Sequence, residues 1–242
     1  MRIVTACDMN YVPGAIALYN SYKQHNPEHK FSCMAHDEET YKHLKSIGIP
    51  TKLVARDLLP ENLPISSLWP QASMAMYSRL LIPDIYEEEK TIWIDADAII
   101  IKKLPNINIG TYPCAGVVVS SPTIASQVRG ICVKRIEELP AIHAGVIAYN
   151  KTEWKKDKML ERCLDAMKYN YEFIYAVQSV LSLALEGNFL ELPYEWDAFT
   201  SWGLPDNTLI AHYCGYNYLP WVHKDIPYLN LWNKYYNNGV IL

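Results

Sequence analysis

The chain has no long run of charge of one sign. Its 22 Lys and Arg stand against 26 Asp and Glu, a formal net charge of −4 over 242 residues. Non-specific nucleic-acid binding depends on clustered cations, so that class of partner is set aside. Phosphate binding through a divalent cation is compatible with such mild acidity. The six cysteines (Cys7, Cys33, Cys114, Cys132, Cys163, Cys214) form neither a CxxC pair nor a zinc-type spacing. In a chain that is 50% hydrophobic they read as small apolar fillers of a reduced, cytoplasmic protein rather than a disulfide framework. No stretch reaches the roughly 18 consecutive apolar residues of a membrane span. The opening MRIVTACDMN lacks the basic and apolar regions of a signal peptide. Glycine- and serine-rich linkers, internal repeats and low-complexity tracts are also missing. Residues 1–242 therefore read as one domain with an aromatic-rich C-terminal portion from about residue 190.

What is present alternates between two periods. Strand patterns at 2–8, 30–37, 51–55 and 91–96 are interleaved with helical patterns at 12–25, 38–48 and 72–82. Residues 57–71, with three prolines, read as an irregular loop. Further strands are expected at 115–120 and 144–150, and helices at 123–138, 151–169 and 176–186. This alternation argues for βαβ units and an α/β fold with a mostly parallel sheet.

One strand carries an anomaly. TIWIDADAII (91–100) places Asp95 and Asp97 in an apolar run. Residues i and i+2 of a strand share a face, so the two carboxylates would lie side by side with Ala96 turned away. Like charges so close call for a cation, and hard oxygen ligands suit Mn²⁺ or Mg²⁺. Two other readings stay open. One aspartate caps a turn while the other pairs with an arginine such as Arg79. Alternatively, Asp95 is the nucleophile of a DxD phosphohydrolase; the motif then comes unusually late, after three βα units.

Three further stretches bear on the choice: IVTACDMNYVPGAIALYNSY (3–22), MYSRLLIPDIYEEEKTIWIDADAII (76–100) and HYCGYNYLPW (212–221). In order and spacing they resemble the family 8 glycosyltransferases, the group of glycogenin and the bacterial lipooligosaccharide galactosyltransferases. The resemblance spans roughly residues 1–221. It implies a GT-A fold with a Rossmann-like mixed sheet flanked by helices. It also implies a UDP-hexose donor (UDP-glucose or UDP-galactose), Mn²⁺ or Mg²⁺, a carbohydrate or glycoconjugate acceptor, and transfer with retention.

By matching position, the metal ligands would be Asp95, Asp97 and His212; neutral imidazole is a good Mn²⁺ ligand. Donor contacts would come from Ala6, Asp8, Asn10, Tyr11, Arg79, Ala96, His143, Ala144 and Gly215. Asp8 suits a base N–H and Tyr11 a stacking face, although Asp8 or Asn10 could equally cap the following helix. Arg79 offers a fixed fork of donors to sugar and phosphate oxygens; its surface alternative is Asp84 or the acidic run 87–89. Gln178 and Arg79 are the candidate catalytic residues.

The chain departs from the family pattern at three points. His143 replaces an asparagine, Val177 an aspartate next to Gln178, and Leu219 a lysine that usually binds the diphosphate, for which Lys224 is a nearby substitute. Gln178 is a poor nucleophile and Val177 none, which favours attack on the same face as the departing diphosphate over a double displacement. The buried or exposed fate of twelve aromatics at 194–236 is open. They can hold sugar rings, join copies of the chain in a homo-oligomer, or touch a membrane surface, although 227–236 offers only Lys234 as a basic residue. Val177 and Leu219 also keep alive a non-catalytic module that binds nucleotide sugar.

Overall fold

Strand β1 (Arg2–Ala6) is buried along most of its length and has parallel partners on both sides, β2 (Lys30–Ala35) and β4 (Lys90–Ile94). Around that centre the computed structural model, which describes residues 1–55, 58–66, 74–119, 121–130, 134–169 and 171–237, builds a seven-stranded sheet. β3 (Thr51–Leu53) extends it beyond β2 in parallel. On the other side, β8 (His143–Asn150) pairs antiparallel with both β4 and β6 (Cys114–Val117), and β10 (Leu190–Leu192) closes the edge parallel to β6. The sheet is thus mixed and mostly parallel, with β8 its one reversed strand.

Alternating residues feed two apolar layers, as a pleated strand requires. Val4, Trp93, Ile147 and Tyr149 face one side, where α6 (Met159–Ala166) and α7 (Val177–Leu185) contribute Met159, Cys163, Val180 and Leu181. Ile3, Ile92, Ile94 and Val146 face the other, against Val12, Ala15 and Leu18 of α1 (Val12–His25) and Leu44 of α2 (Glu38–Ser46). The helix ends follow local chemistry. Pro13 sits in the first turn of α1, and the Asp37 carboxylate caps α2 by accepting from Thr40 N–H at 2.7 Å.

The remaining elements are short. α3 (Ile82–Ile85) follows a 3-10 run at Met74–Leu81; β7 (Val128–Arg129) pairs with β9 (Glu172–Phe173); α4 (Lys134–Glu137) and α5 (Lys151–Lys156) lie in connections. A separate three-stranded sheet joins β5 (Ala98–Ile100), β12 (Ile210–His212) and β11 (Ala198–Phe199). Over it packs α8 (Leu229–Tyr236), whose buried Trp232 and Tyr235 meet Ala17, Ile99, Ala211 and Tyr213. The Asn20 amide donates to Tyr235 O at 2.9 Å and ties α8 to α1.

Four expectations need correction. The strand carrying the aspartates ends at Ile94, so Asp95 and Asp97 sit in a turn, not on one strand face. The helix expected at 123–138 is a 3-10 turn (Ile124–Ser126), β7 and α4, with Gly130 at φ 90° between them and 131–133 outside the described residues. Gln127 explains part of that: its amide donates to Ser121 O (3.0 Å) and accepts from Ser182 Oγ (3.0 Å), fixing the segment to α7. The expected 151–169 helix is split into α5 and α6 at Lys158, whose φ of 51° no helix continues through. The 72–82 helix is mostly 3-10, with 72–73 outside the described residues, as are 56–57 and 67–71 of the proline-rich loop and 120 of the 115–120 strand. Among the described residues, no helix is long and apolar enough to cross a membrane.

Candidate metal centre

Asp95-Ala96-Asp97 forms the turn by which the chain leaves the main sheet and enters the small one. Ala98 N–H closes the turn on Asp95 O (3.1 Å), and Asp95 N–H donates to Gly145 O on β8 (2.8 Å). In the antiparallel β5–β12 ladder, Ala98 stands opposite His212. Tyr213 N–H adds a bond to Asp97 O (2.9 Å). These backbone bonds bring His212 Nε2 to 3.2 Å from Asp97 Oδ1. One ligand atom each from Asp95, Asp97 and His212 lies within 4.8 Å of the others.

Behind His212 stands a residue that the sequence pattern did not single out. Asp197 is fully buried between β11 and the 3-10 turn Tyr194–Trp196. Its Oδ1 accepts from His212 Nδ1 at 2.7 Å and its Oδ2 from His143 Nδ1 at 2.5 Å. Burial disfavours the charged carboxylate, but the two imidazoles outweigh it and hold the Asp197 carboxyl well below the usual range. Burial likewise opposes charge on His143; the Asp197 carboxylate prevails and raises that imidazole to about 9. His212 is raised well above its ordinary value for the same reasons, with Asp97 adding to Asp197. Both Nδ1 atoms donate to one carboxylate, so both Nε2 atoms are left to face other partners. Gly145 makes room for this: a Cβ there would stand 2.4 Å from His212 Cε1 and 2.9 Å from Asp197 Oδ2.

Arg79 is buried and serves the same turn. Its Nη2 donates to Asp95 Oδ1 (2.7 Å), its Nε to Met76 O (2.8 Å), and its Nη1 to Ala144 O. The guanidinium lies over the Trp93 ring, 4.7 Å from the centroid, and Trp93 Nε1–H also donates to Asp95 Oδ1 (2.7 Å). Burial raises the Asp95 carboxyl, Arg79 opposes that, and Asp97 adds to it. The surface alternative for Arg79 is not adopted, because Asp84 pairs with Lys155 at 3.3 Å.

The other expected residues are distributed around this centre. Gln178, near the start of α7, accepts from Ala144 N–H at 3.2 Å through Oε1, while the adjacent Val177 is buried. Ala6 ends β1. Asp8 accepts from Asn10 N–H at 2.9 Å and caps the 3-10 turn Met9–Tyr11 instead of α1, whose N-cap residue Tyr11 makes no side-chain capping bond. The Tyr11 ring meets Trp221 edge-on at 5.4 Å. Burial, then Asp97 and Asp95, raise the Tyr11 hydroxyl. Ala96 contacts α1: a Cβ on Gly14 would come within 2.3 Å of Ala96 O. Gly215, at φ 99°, opens the turn Tyr216–Tyr218; an L side chain there would be strained. Leu219, where the resemblance implies a lysine, is buried, and Lys224 is exposed.

The donor set fits a hard divalent cation. Two carboxylates and one imidazole suit Mn²⁺ or Mg²⁺, and a carboxylate holding the far nitrogen of the ligating histidine is the usual outer partner of such a site.

Residues 2–225 match the family model described as Glycosyl transferase family 8. Among curated proteins, the chain is 24% identical over 255 residues to Glycosyltransferase GlyA of Streptococcus pneumoniae serotype 4, an alignment covering 97% of this chain and 34% of that protein. The chain therefore spans about a third of that relative. Among solved structures it is similar to the galactosyltransferase LgtC in complex with donor and acceptor sugar analogues (TM-score 0.71, 15% identity, 100% of this chain and 97% of that one). It also resembles the bifunctional glycosyltransferase WbbM (TM-score 0.72, 16% identity, 99% of this chain and half, 50%, of that one). GlyE of Streptococcus pneumoniae gives a TM-score of 0.69 at 20% identity, over 97% of this chain and 59% of that one. At such identities the likeness carries the fold, which is GT-A.

Proposed function

The chain belongs to glycosyltransferase family 8, and on that premise we propose that it moves a hexose from a UDP-sugar to an acceptor hydroxyl with retention, acting as one domain. The observation that carries this reading is the approach of Asp95 and Asp97, from the turn between the sheets, and of His212, from β12, to within 4.8 Å of one another, with His212 Nε2 3.2 Å from Asp97 Oδ1. Those three residues would hold Mn²⁺ or Mg²⁺. When bound, such a cation supplies positive charge to the diphosphate as it departs.

The chain's own residues do the rest. Asp8 and Tyr11, at the end of β1, offer an acceptor and a ring face to the uracil. Arg79 fixes Asp95 and the Ala144 carbonyl with one fork, so it acts first as a positioning residue. Gln178 orients the Ala144 amide beside His143. The residue before Gln178 is the buried Val177, not a carboxylate; this favours same-face attack, in which a diphosphate oxygen helps to take the acceptor proton. Exposed Trp202 and Tyr216 provide ring faces for the acceptor.

A second reading rests on two burials. Val177 and Leu219 both point inward where the family places a carboxylate and a lysine, which favours a module that binds nucleotide sugar without turnover. Calorimetry with UDP, with and without Mn²⁺, tests the shared premise: binding independent of the metal overturns it. A screen for hydrolysis of UDP-sugars then separates the two. Slow release of free sugar is expected of the transferase and none of the module. The phosphohydrolase alternative has no support in the family match.

A further inference from the structure

We propose that His143, His212 and Cys214 form a second cation site, for a thiophilic divalent ion such as Zn²⁺, which overlaps the acidic site at His212 and excludes it. One ligand atom from each of the three lies within 4.8 Å of the others. Cys214 Sγ is 3.8 Å from His143 Nε2, and the two imidazole rings are 5.5 Å apart, centre to centre.

An independent observation says that these rings are prepared as ligands. Asp197 takes the Nδ1–H of both, at 2.7 and 2.5 Å, so each imidazole is fixed in one tautomer with Nε2 outward. A carboxylate behind a ligating histidine is the common outer partner of a metal site, and here one carboxylate serves two histidines. Phe199 lies edge-on to both rings, at 4.8 and 5.7 Å, and keeps that side apolar. Cys214 is half-buried, whereas Cys7, Cys33, Cys114 and Cys163 are buried. Two imidazole nitrogens and a thiolate are three of the four donors of a tetrahedral zinc site, leaving one position open. The thiol proton, and the Nε2 proton of each imidazolium that the Asp197 carboxylate favours, pass to solvent as sulfur and nitrogen ligate.

The two sites compete. His212 Nε2 has a single lone pair and cannot serve a hard cation with Asp95 and Asp97 and a soft one with His143 and Cys214 at once. Zn²⁺ would therefore inhibit by removing His212 from the acidic set. The competition, though not the soft site itself, rests on the function proposed above.

Cd²⁺ is the probe, since its thiolate charge-transfer band in the ultraviolet reports sulfur ligation directly. The full chain is expected to develop that band at an equimolar ratio. Cys214→Ser should abolish it and Cys132→Ser, at the cysteine outside the described residues, should leave it. His143→Gln should weaken Cd²⁺ binding at least about tenfold. Excess Mn²⁺ should diminish the band. Asp97→Asn should keep the band yet lose Mn²⁺-dependent UDP binding, which separates failure of this site from failure of the acidic one. A band surviving in Cys214→Ser, or unweakened binding in a folded His143→Gln, overturns the soft site; a band indifferent to excess Mn²⁺ overturns the competition.

Discussion

Ala98 faces His212 across a ladder only three residue pairs long. That register decides which side of β12 meets the acidic turn. A slip of one residue would turn the imidazole to the opposite face and bring in Ala211 or Tyr213. The site thus depends on a small sheet whose Ala98, Ile100 and Ile210 are buried with Ile3, Val12 and Leu18.

Asp97→Asn should leave far-ultraviolet circular dichroism unchanged and weaken Mn²⁺-dependent UDP binding by more than about tenfold, because an anionic ligand becomes neutral. Calorimetry measures it. Unaltered metal dependence would remove Asp97 from the site.

Asp197→Asn tests the shared carboxylate. The side chain keeps its size, yet one of the two oxygens that receive His143 and His212 becomes an amide that cannot accept. Metal affinity, read from Mn²⁺ electron paramagnetic resonance titrations, should fall about 10–100-fold. A fall in thermal stability with unchanged affinity would mean that Asp197 serves the fold alone.

Gly145→Ala should both destabilise and disarm the protein. The new methyl would press on His212 Cε1 at 2.4 Å and on Asp197 Oδ2 at 2.9 Å. Overpacking of this kind costs about 1–3 kcal/mol. Urea unfolding gives the loss, and calorimetry on the folded fraction should show weakened metal-dependent nucleotide binding.

Arg79→Ala leaves Asp95 without its buried cation and should cost about 3 kcal/mol in urea unfolding. Arg79→Lys keeps the charge but cannot serve Asp95, Met76 and Ala144 together, so it should recover only part of that stability.

Glu88→Gln concerns the opposite end of the strands. Glu88 accepts two bonds from Arg2 (3.0 and 3.1 Å) and one from Lys30 (2.8 Å), and Arg2 foremost lowers its carboxyl from 4.5 to about 2. A carboxyl depressed by folding stabilises above its unfolded value and loses that contribution as pH falls from 4.5 towards 2. The variant should therefore be less stable than wild type by about 1 kcal/mol at pH 7, with the gap closing as pH falls through and below 2. Metal-dependent UDP binding should not change.

The legible parts of this protein are those where local pattern and long-range structure agree. β1, α1, β2 and α2 follow from apolar periodicity, and Asp95, Asp97 and His212 follow from motifs whose order matches a family. The strand-face argument for Asp95 and Asp97 failed, although the pairing of their carboxylates with His212 did not depend on it. β5 and β12 have three residues each, too few for a period to register, so the ladder joining them could not be read. Asp197, in YEWDAF, has no spacing relation to either histidine; its one sequence signal is an acidic residue among aromatics. The 123–138 segment looked helical because its apolar residues recur suitably, but the Gln127 amide and the turn at Gly130 override that pattern.

Within the seven-stranded sheet β8 alone runs against its neighbours, so it presents its first residues, rather than its last, at the end of the sheet where ligands gather. His143 is thereby the first residue of its strand, anchored on its downstream side by the Ala144 and Gly145 backbone groups that Gln178, Arg79 and Asp95 engage. Exchange of that side chain would take one of its two partners from the buried Asp197 carboxylate, so the start of β8 and His212 answer to the same acid.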